Sequence, residues 1–370
     1  MSTPEILTSR TATRRRSFGV EQAWGAPGAR PEARIAGLAV VDHERSSTQR
    51  DALEQLGLAA DDFAESIFAK SGVERRQLNL EPDFLALNLQ GRTIEVEQKL
   101  LATAVEAVDQ LELDFSEIST VLTSSLYSLG CPTLAHRLVE HYPMSPSTDK
   151  YHVTGVGCAS AVPLMRLATQ TLGRGPSKKV LVVAAESMSS ILMPAREGDP
   201  RVKTVGSAIF GDGCAAAVIA DAECCEGPGI LATRVHQIPD TLDAVKLSSD
   251  ADDSHLDLAR ELPEIAGAEL AALVAEFLAE NGLGRGDIQR WMLHPGGRRI
   301  VERCRDALAL SDEDVAISWR ALADHGNVGT PSIFYVMHRT MRERRPRQGE
   351  HGLAITVGPG VSVGLMLVEF

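Results

Sequence analysis

Cys158 lies in Gly155-Val156-Gly157-Cys158-Ala159-Ser160-Ala161, with a helical pattern from Val162 to Leu172 behind it. Glycines before the cysteine and small residues after it permit a sharp turn into a helix, which presents the sulfur at the helix N-terminus. The dipole there predicts a lowered thiol pKa, and the cysteine's own N–H can face the oxygen of a bound thioester. Pro163 suits the first helical turn, where a missing N–H costs nothing. A nucleophilic thiol needs a basic partner. Two downstream segments supply candidates. Leu293-His294-Pro295-Gly296-Gly297 puts an imidazole at the end of the strand Trp291 to Leu293, and His325-Gly326-Asn327-Val328-Gly329 puts an amide among glycines. Both side chains donate hydrogen bonds without adding negative charge, as an oxyanion site requires.

These residues need a layered scaffold to meet. Buried-strand patterns recur at Ile35 to Val41, Val121 to Thr123, Lys179 to Ala185, Ala215 to Ala220, Trp291 to Leu293 and Leu353 to Val357. Helical patterns fill the intervals, the longest at Thr93 to Leu111 and Leu262 to Glu280, with Asn281-Gly282 as a stop. Strands alternating with helices predict an α/β fold. Residues 1–30, with Arg10, Arg14, Arg15 and Arg16 among Ser and Thr, read as a flexible tail. The stretch Cys224-Cys225-Glu226-Gly227-Pro228-Gly229 is a natural link between a first half, 31–225, carrying the cysteine and a second, 226–370, carrying the His and Asn. The run Arg342 to Arg347 reads as a solvated helix end and turn.

The 370 residues carry 37 Lys+Arg against 50 Asp+Glu, a formal charge of −13, with 44% apolar residues. That fraction supports a sizeable core and excludes global disorder. An acidic chain repels phosphate backbones and anionic membrane surfaces, so neither nucleic acid nor membrane is an expected partner. No apolar run approaches the roughly 20 residues a spanning helix needs. Six cysteines without a leader pattern or CxxC spacing predict free thiols, a cytoplasmic location and no metal site. Asp212, between two glycines, reads as a turn residue bonding its own backbone. Glu186, after the strand ending at Ala185, has no role assignable from sequence.

The motifs around Cys158, Phe210-Gly211-Asp212-Gly213, His294-Pro295-Gly296-Gly297, Gly326-Asn327 and Gly358-Pro359-Gly360 occur in the order and nearly the spacings of the type III polyketide synthases. From about Ile35 to Phe370 the chain resembles that chalcone-synthase-like family. Ser71-Gly72-Val73-Glu74-Arg75-Arg76 and Leu262-Pro263-Glu264 add to the resemblance. It implies a thiolase fold, with duplicated βαβαβ halves in an α-β-α-β-α arrangement, working as a homodimer without metal or organic cofactor. Cys158 would take an acyl group from an acyl-CoA starter. His294 would hold the thiolate and then, with Asn327, bind the malonyl-CoA carbonyl while CO2 leaves and an enolate forms.

The same resemblance places Phe210, Leu256, Cys131, Gly329, Thr330, Gly358, Pro359 and Gly360 around the substrate cavity. Leu256 stands where relatives often carry a second aromatic gate, which implies a wider, more aliphatic pocket and a fatty or branched starter. Gly329 removes a side chain near that cavity. Cys131 matches a position that crosses the dimer interface, although burial statistics favour a buried structural cysteine. Of the basic positions for CoA phosphate, Lys70 is kept while Phe63 and Ser66 fill the neighbours. Arg298 and Arg299 can compensate at the tunnel mouth, and an acyl carrier protein stays open as the donor. A 3-oxoacyl-carrier-protein synthase III-like enzyme and a non-condensing thiolase-fold acyltransferase are the alternatives.

Overall fold

The computed structural model describes residues 31–42, 46–126, 128, 130–172, 178–192, 201–249 and 254–370; the expected tail lies outside them. Nine strands form one sheet: β1 (Ala33–Val40), β2 (Ile118–Ser124), β3 (Asp149–Val153), β4 (Lys179–Glu186), β5 (Gly213–Asp221), β6 (Gly229–Gln237), β7 (Ile288–Leu293), β8 (His351–Gly358) and β9 (Ser362–Glu369). Their order is β7-β8-β9-β6-β1-β5-β4-β2-β3. The succession β1-β5-β4-β2, antiparallel, antiparallel, parallel, is repeated by β6-β9-β8-β7 with the same senses. The two runs join where β1 pairs β6 at Ala33–Ile230 and Arg34–Gly229. This internal duplication is the expected α/β architecture.

Two-faced burial explains why the strands read as continuous apolar runs. Along β4, Val180, Val182 and Ala184 enter a central core, whereas Leu181, Val183 and Ala185 enter an outer one. Along β8, Ala354 points to the central core and Leu353, Ile355 and Val357 point to the other outer core. Helix Leu89–Asp109 covers the first outer face, and helices Leu270–Glu280 and Arg298–Ala307 cover the second. Between the halves lie helices Ala161–Thr171 and Ser332–Arg339, the latter buried from Ser332 to Met337. A helix apolar on all sides belongs in the middle of a layered protein. Helix Ala161–Thr171 touches strands of both halves, so the turn before it sits at their junction.

Two expectations need correction. The helix read over Leu262 to Glu280 is two helices, Leu262–Ala268 and Leu270–Glu280, parted at Glu269. Gly267, two residues before the break, has weak helical preference and favours an interruption there. Cys131, favoured as buried, is exposed. The basic run begins in a π-helical turn, Thr340–Arg344, that stops at Arg345 in the left-handed region, with Arg344 paired to Glu313, in keeping with a solvated helix end. No helix of the described residues is long and apolar enough to cross a membrane.

The end of β8 fixes the turn that carries Cys158. A Cβ on Gly358 would stand 2.5 Å from the Ala159 nitrogen, and one on Gly157 would stand 2.9 Å from Pro359 Cδ. Gly358→Ala should therefore displace the turn. A shift of roughly 1 Å costs on the order of 10²-fold in rate, and we expect that loss in acylation of Cys158 by an acyl thioester, read by mass spectrometry. Circular dichroism should show the fold retained. An unchanged rate would mean that this contact does not aim the cysteine.

Candidate active site

Cys158 occupies a one-turn helix, Gly157–Ala159, that leads into Ala161–Thr171. Gly155 and Gly157 both take positive φ, at 79° and 59°, which explains the glycine spacing before the nucleophile. The Gly157 carbonyl accepts from Ser160 N at 2.9 Å and from Thr330 Oγ1 at 3.1 Å. Cys158 is half-buried, and its thiol donates to Asn327 Oδ1 at 3.7 Å.

Asn327 comes to this place by reciprocal close approach of two turns. Phe210 and Asn327 form a parallel bridge, Asn327 N donates to Ile209 O at 2.7 Å, and Gly211 N donates to Asn327 O at 3.1 Å. A Cβ on Gly211 would meet His325 O at 2.6 Å, and one on Gly326 would meet Ile209 O at 2.6 Å. Only glycine fits either position. Arg76, fully buried, locks the arrangement by donating to Phe210 O at 3.0 Å and Ser207 O at 2.6 Å. Asn327 Oδ1 accepts from Gly329 N at 2.9 Å and Ser332 Oγ at 3.4 Å, which orients its amide so that Nδ2 donates to Gly296 O at 3.3 Å. One Nδ2–H remains for a ligand.

His294 follows β7, its backbone N donating to Ile355 O at 2.8 Å. The ring is buried, and neither Nδ1 nor Nε2 has a partner among the described residues. Gly296 lies against it, with an added Cβ 3.2 Å from His294 Cδ2. Gly296 thus contacts the ring through its own backbone and Asn327 through its carbonyl, which puts the imidazole, amide and thiol in one neighbourhood. An unpartnered buried imidazole is costly in structure and available for chemistry.

The electrostatics correct one expectation. Burial, with the Glu186 carboxyl adding to it, pushes the Cys158 thiol up to about 12, against the lowering expected from the helix dipole. Burial brings the His294 imidazole down to about 4. Both shifts favour the uncharged thiol and imidazole over an ion pair.

Phe210 and Leu256 do meet, over Gly206 of helix Arg201–Ile209. A Cβ on Gly206 would lie 2.9 Å from Leu256 Cδ2 and 3.5 Å from Phe210 Cε2. Gly358 and Pro359 instead back the nucleophile turn, and the Gly360 carbonyl accepts from Thr241 Oγ1 at 2.8 Å. Gly329, with φ of 67°, does not open the cavity, because a Cβ there would meet Glu186 Cγ at 3.0 Å. Thr330 is fully buried and its hydroxyl is committed to Gly157 and Glu186. Both residues therefore support the site rather than line open space.

Of the residues expected at a tunnel mouth, Arg298 lies against Gly72, which brings the segment after Lys70 beside helix Arg298–Ala307. Lys70 donates to Ser66 at 2.9 Å. Arg298 pairs with Glu302 and Arg299 with Glu264, both at 2.9 Å and exposed. Such pairs are weak and a phosphate can displace them. Sequence reasoning passed over Arg201, whose guanidinium lies 4.7 Å above the ring of Phe63. Asp212 is also placed differently from expectation: it accepts from Ser189 N and Oγ, both at 2.7 Å, rather than from its own backbone.

Comparison with known proteins agrees with this architecture. A family described as FAE1/type III polyketide synthase-like protein matches residues 38–279, and chalcone and stilbene synthases, C-terminal domain, matches residues 230–369. The 3,5-dihydroxyphenylacetyl-CoA synthase of Streptomyces toyocaensis is 27% identical, over 92% of this chain and 90% of that protein. An alpha-pyrone synthesis polyketide synthase-like protein of Mycobacterium tuberculosis is 29% identical, over 97% and 96%. The crystal structure of PKS-I from the brown alga Ectocarpus siliculosus superposes with a TM-score of 0.83 at 25% identity, covering 92% of this chain and 99% of that one. With duplicated halves, a cysteine on the junction turn and one family matched over most of its length, the chain belongs to the type III polyketide synthase-like condensing enzymes.

Proposed function

We propose that Cys158 takes an acyl group from a CoA thioester and that the enzyme lengthens it by decarboxylative condensation with malonyl-CoA. The observation that carries this is the convergence of an imidazole unpartnered among the described residues, an oriented amide and a thiol 3.7 Å from that amide. In loading, the thiol proton passes to a His294 ring nitrogen while sulfur attacks the thioester carbonyl. The CoA sulfur then leaves and regains that proton. In extension, an imidazole N–H and the free Asn327 Nδ2–H receive the malonyl thioester oxygen. The carboxylate departs as CO2, its bonding pair moving into the enolate. The enolate carbon attacks the acyl-Cys158 carbonyl and expels the cysteine sulfur. A neutral imidazole suits this work, because it can accept the thiol proton first and donate to the enolate later.

The starter, on this reading, is aliphatic. Leu256 and Phe210 form a wall of one aliphatic and one aromatic side chain over Gly206, which suits a fatty or branched chain. Two further features support a homodimer. The outer edge of β3 is unpaired among the described residues with Tyr151 exposed, and Cys131 is exposed.

Incubation with a panel of acyl-CoA starters should add one acyl mass to the protein, and Cys158→Ala should abolish the adduct. An adduct persisting on that variant would overturn the loading assignment. Leu256→Phe should narrow the wall and lower kcat/KM for fatty or branched starters relative to an acetyl starter by about 10-fold, the scale of small steric changes in apolar pockets. An unchanged ratio, or an aryl preference in the unmodified enzyme, would rule out the aliphatic reading.

A further inference from the structure

Glu186 ends β4 beside the catalytic turn, buried and without an ion pair among the described residues. Its Oε2 accepts from Leu126 N at 2.8 Å and Ser125 Oγ at 3.4 Å. Its Oε1 lies 3.1 Å from Thr330 Oγ1, and that hydroxyl also lies 3.1 Å from the Gly157 carbonyl. A hydroxyl has one proton to give, and both of these neighbours are acceptors when the carboxyl is ionised. One of the two contacts would then set lone pair against lone pair. With a proton on Oε1, both become hydrogen bonds.

We propose that Glu186 is a positioning residue that works as the neutral acid. Its Oε1–H donates to Thr330 Oγ1, the Thr330 hydroxyl donates to the Gly157 carbonyl, and this chain holds the turn that aims Cys158 while keeping negative charge away from the sulfur. Burial pushes the carboxyl up to about 7, outweighing the hydrogen bonds from the Leu126 and Thr330 backbone and the Ser125 and Thr330 hydroxyls that favour its charged form, and that charged form raises the Cys158 thiol. Gly329 completes the arrangement, because a side chain there would press on the carboxyl. Behind Glu186 lies a cavity of about 200 Å³ that it shares with Asp212 on the Phe210 turn and Lys99 on helix Leu89–Asp109. Cys158 on the turn and Cys214 on β5 are the titratable thiols that feel its charge. Ser187 Oγ, buried and unpartnered among the described residues, lines the same cavity with Asn79 and Gln77. A space of this size, with these polar groups in an otherwise largely apolar wall, admits the water through which the carboxyl exchanges its proton.

The mechanistic meaning of this chain rests on Cys158 being the loading nucleophile, but its protonation does not. Infrared difference spectra between the unmodified enzyme and Glu186→Gln should show a protonated-carboxyl C=O band at about pH 5.5 that fades as pH rises through about 7. Alkylation of Cys158 by iodoacetamide, read by peptide mapping, gives the second readout. Rising pH ionises Glu186 and opposes thiolate formation, so the unmodified enzyme should gain rate less steeply than Glu186→Gln. The variant should react several-fold faster above about pH 8 and match the parent below about pH 6. Thr330→Val should keep the band but slow acyl loading. Absence of the band, superimposable alkylation profiles, or undiminished loading in Thr330→Val would overturn the proposal. An enzyme with the band and the altered profile but no acyl on Cys158 would sink the condensing function and leave the neutral acid standing.

Discussion

The site depends on the pinning of one turn between two copies of the same topology. Gly157, Cys158 and Ala159 belong to the first half, but nearly everything that fixes them comes from the second: Gly358 and Pro359 at the end of β8, the Thr330 hydroxyl, and the Asn327 amide. Close approach without side chains makes this possible. Glycines at 157, 211, 326, 329 and 358 each face a neighbour that a Cβ would strike. A glycine costs backbone entropy on folding, and here that cost is offset by the buried apolar layers on both faces of the sheet.

A second constraint follows from depth. Groups this far from water favour their neutral forms, which pushes Cys158 and Glu186 up and His294 down. These shifts disfavour a resting ion pair, and preorganised donors stabilise most where charge develops during a reaction. On helix Arg298–Ala307, Arg298 and Arg299 are exposed and already held by acidic partners.

Much of this was legible in the sequence because burial on two faces produces unbroken apolar strands such as Lys179 to Ala185, and because glycine and small residues mark tight turns. Cys158, His294 and Asn327 stood out for that reason. What escaped was set by residues distant in the chain. The direction of the Cys158 shift depends on burial and on Glu186, neither of which the local helix-start pattern records. Gly329 looked like an opened cavity and is instead an accommodation of that carboxyl. Thr330 looked like cavity wall, yet its hydroxyl is taken up between the Gly157 carbonyl and the Glu186 carboxyl. The break at Glu269 follows Gly267, a weak helix former that the apolar periodicity of Leu262 to Glu280 overshadows.

The central claim is that His294 and Asn327 form a donor pair for an enolate independently of the nucleophile. Release of CO2 from carboxyl-labelled malonyl-CoA by Cys158→Ala measures that directly, since this variant cannot be acylated. The account predicts that Cys158→Ala still decarboxylates, and that adding Asn327→Ala lowers the rate by about 10²–10³-fold, the scale of losing one such donor. An equal rate with and without the Asn327 amide would contradict it.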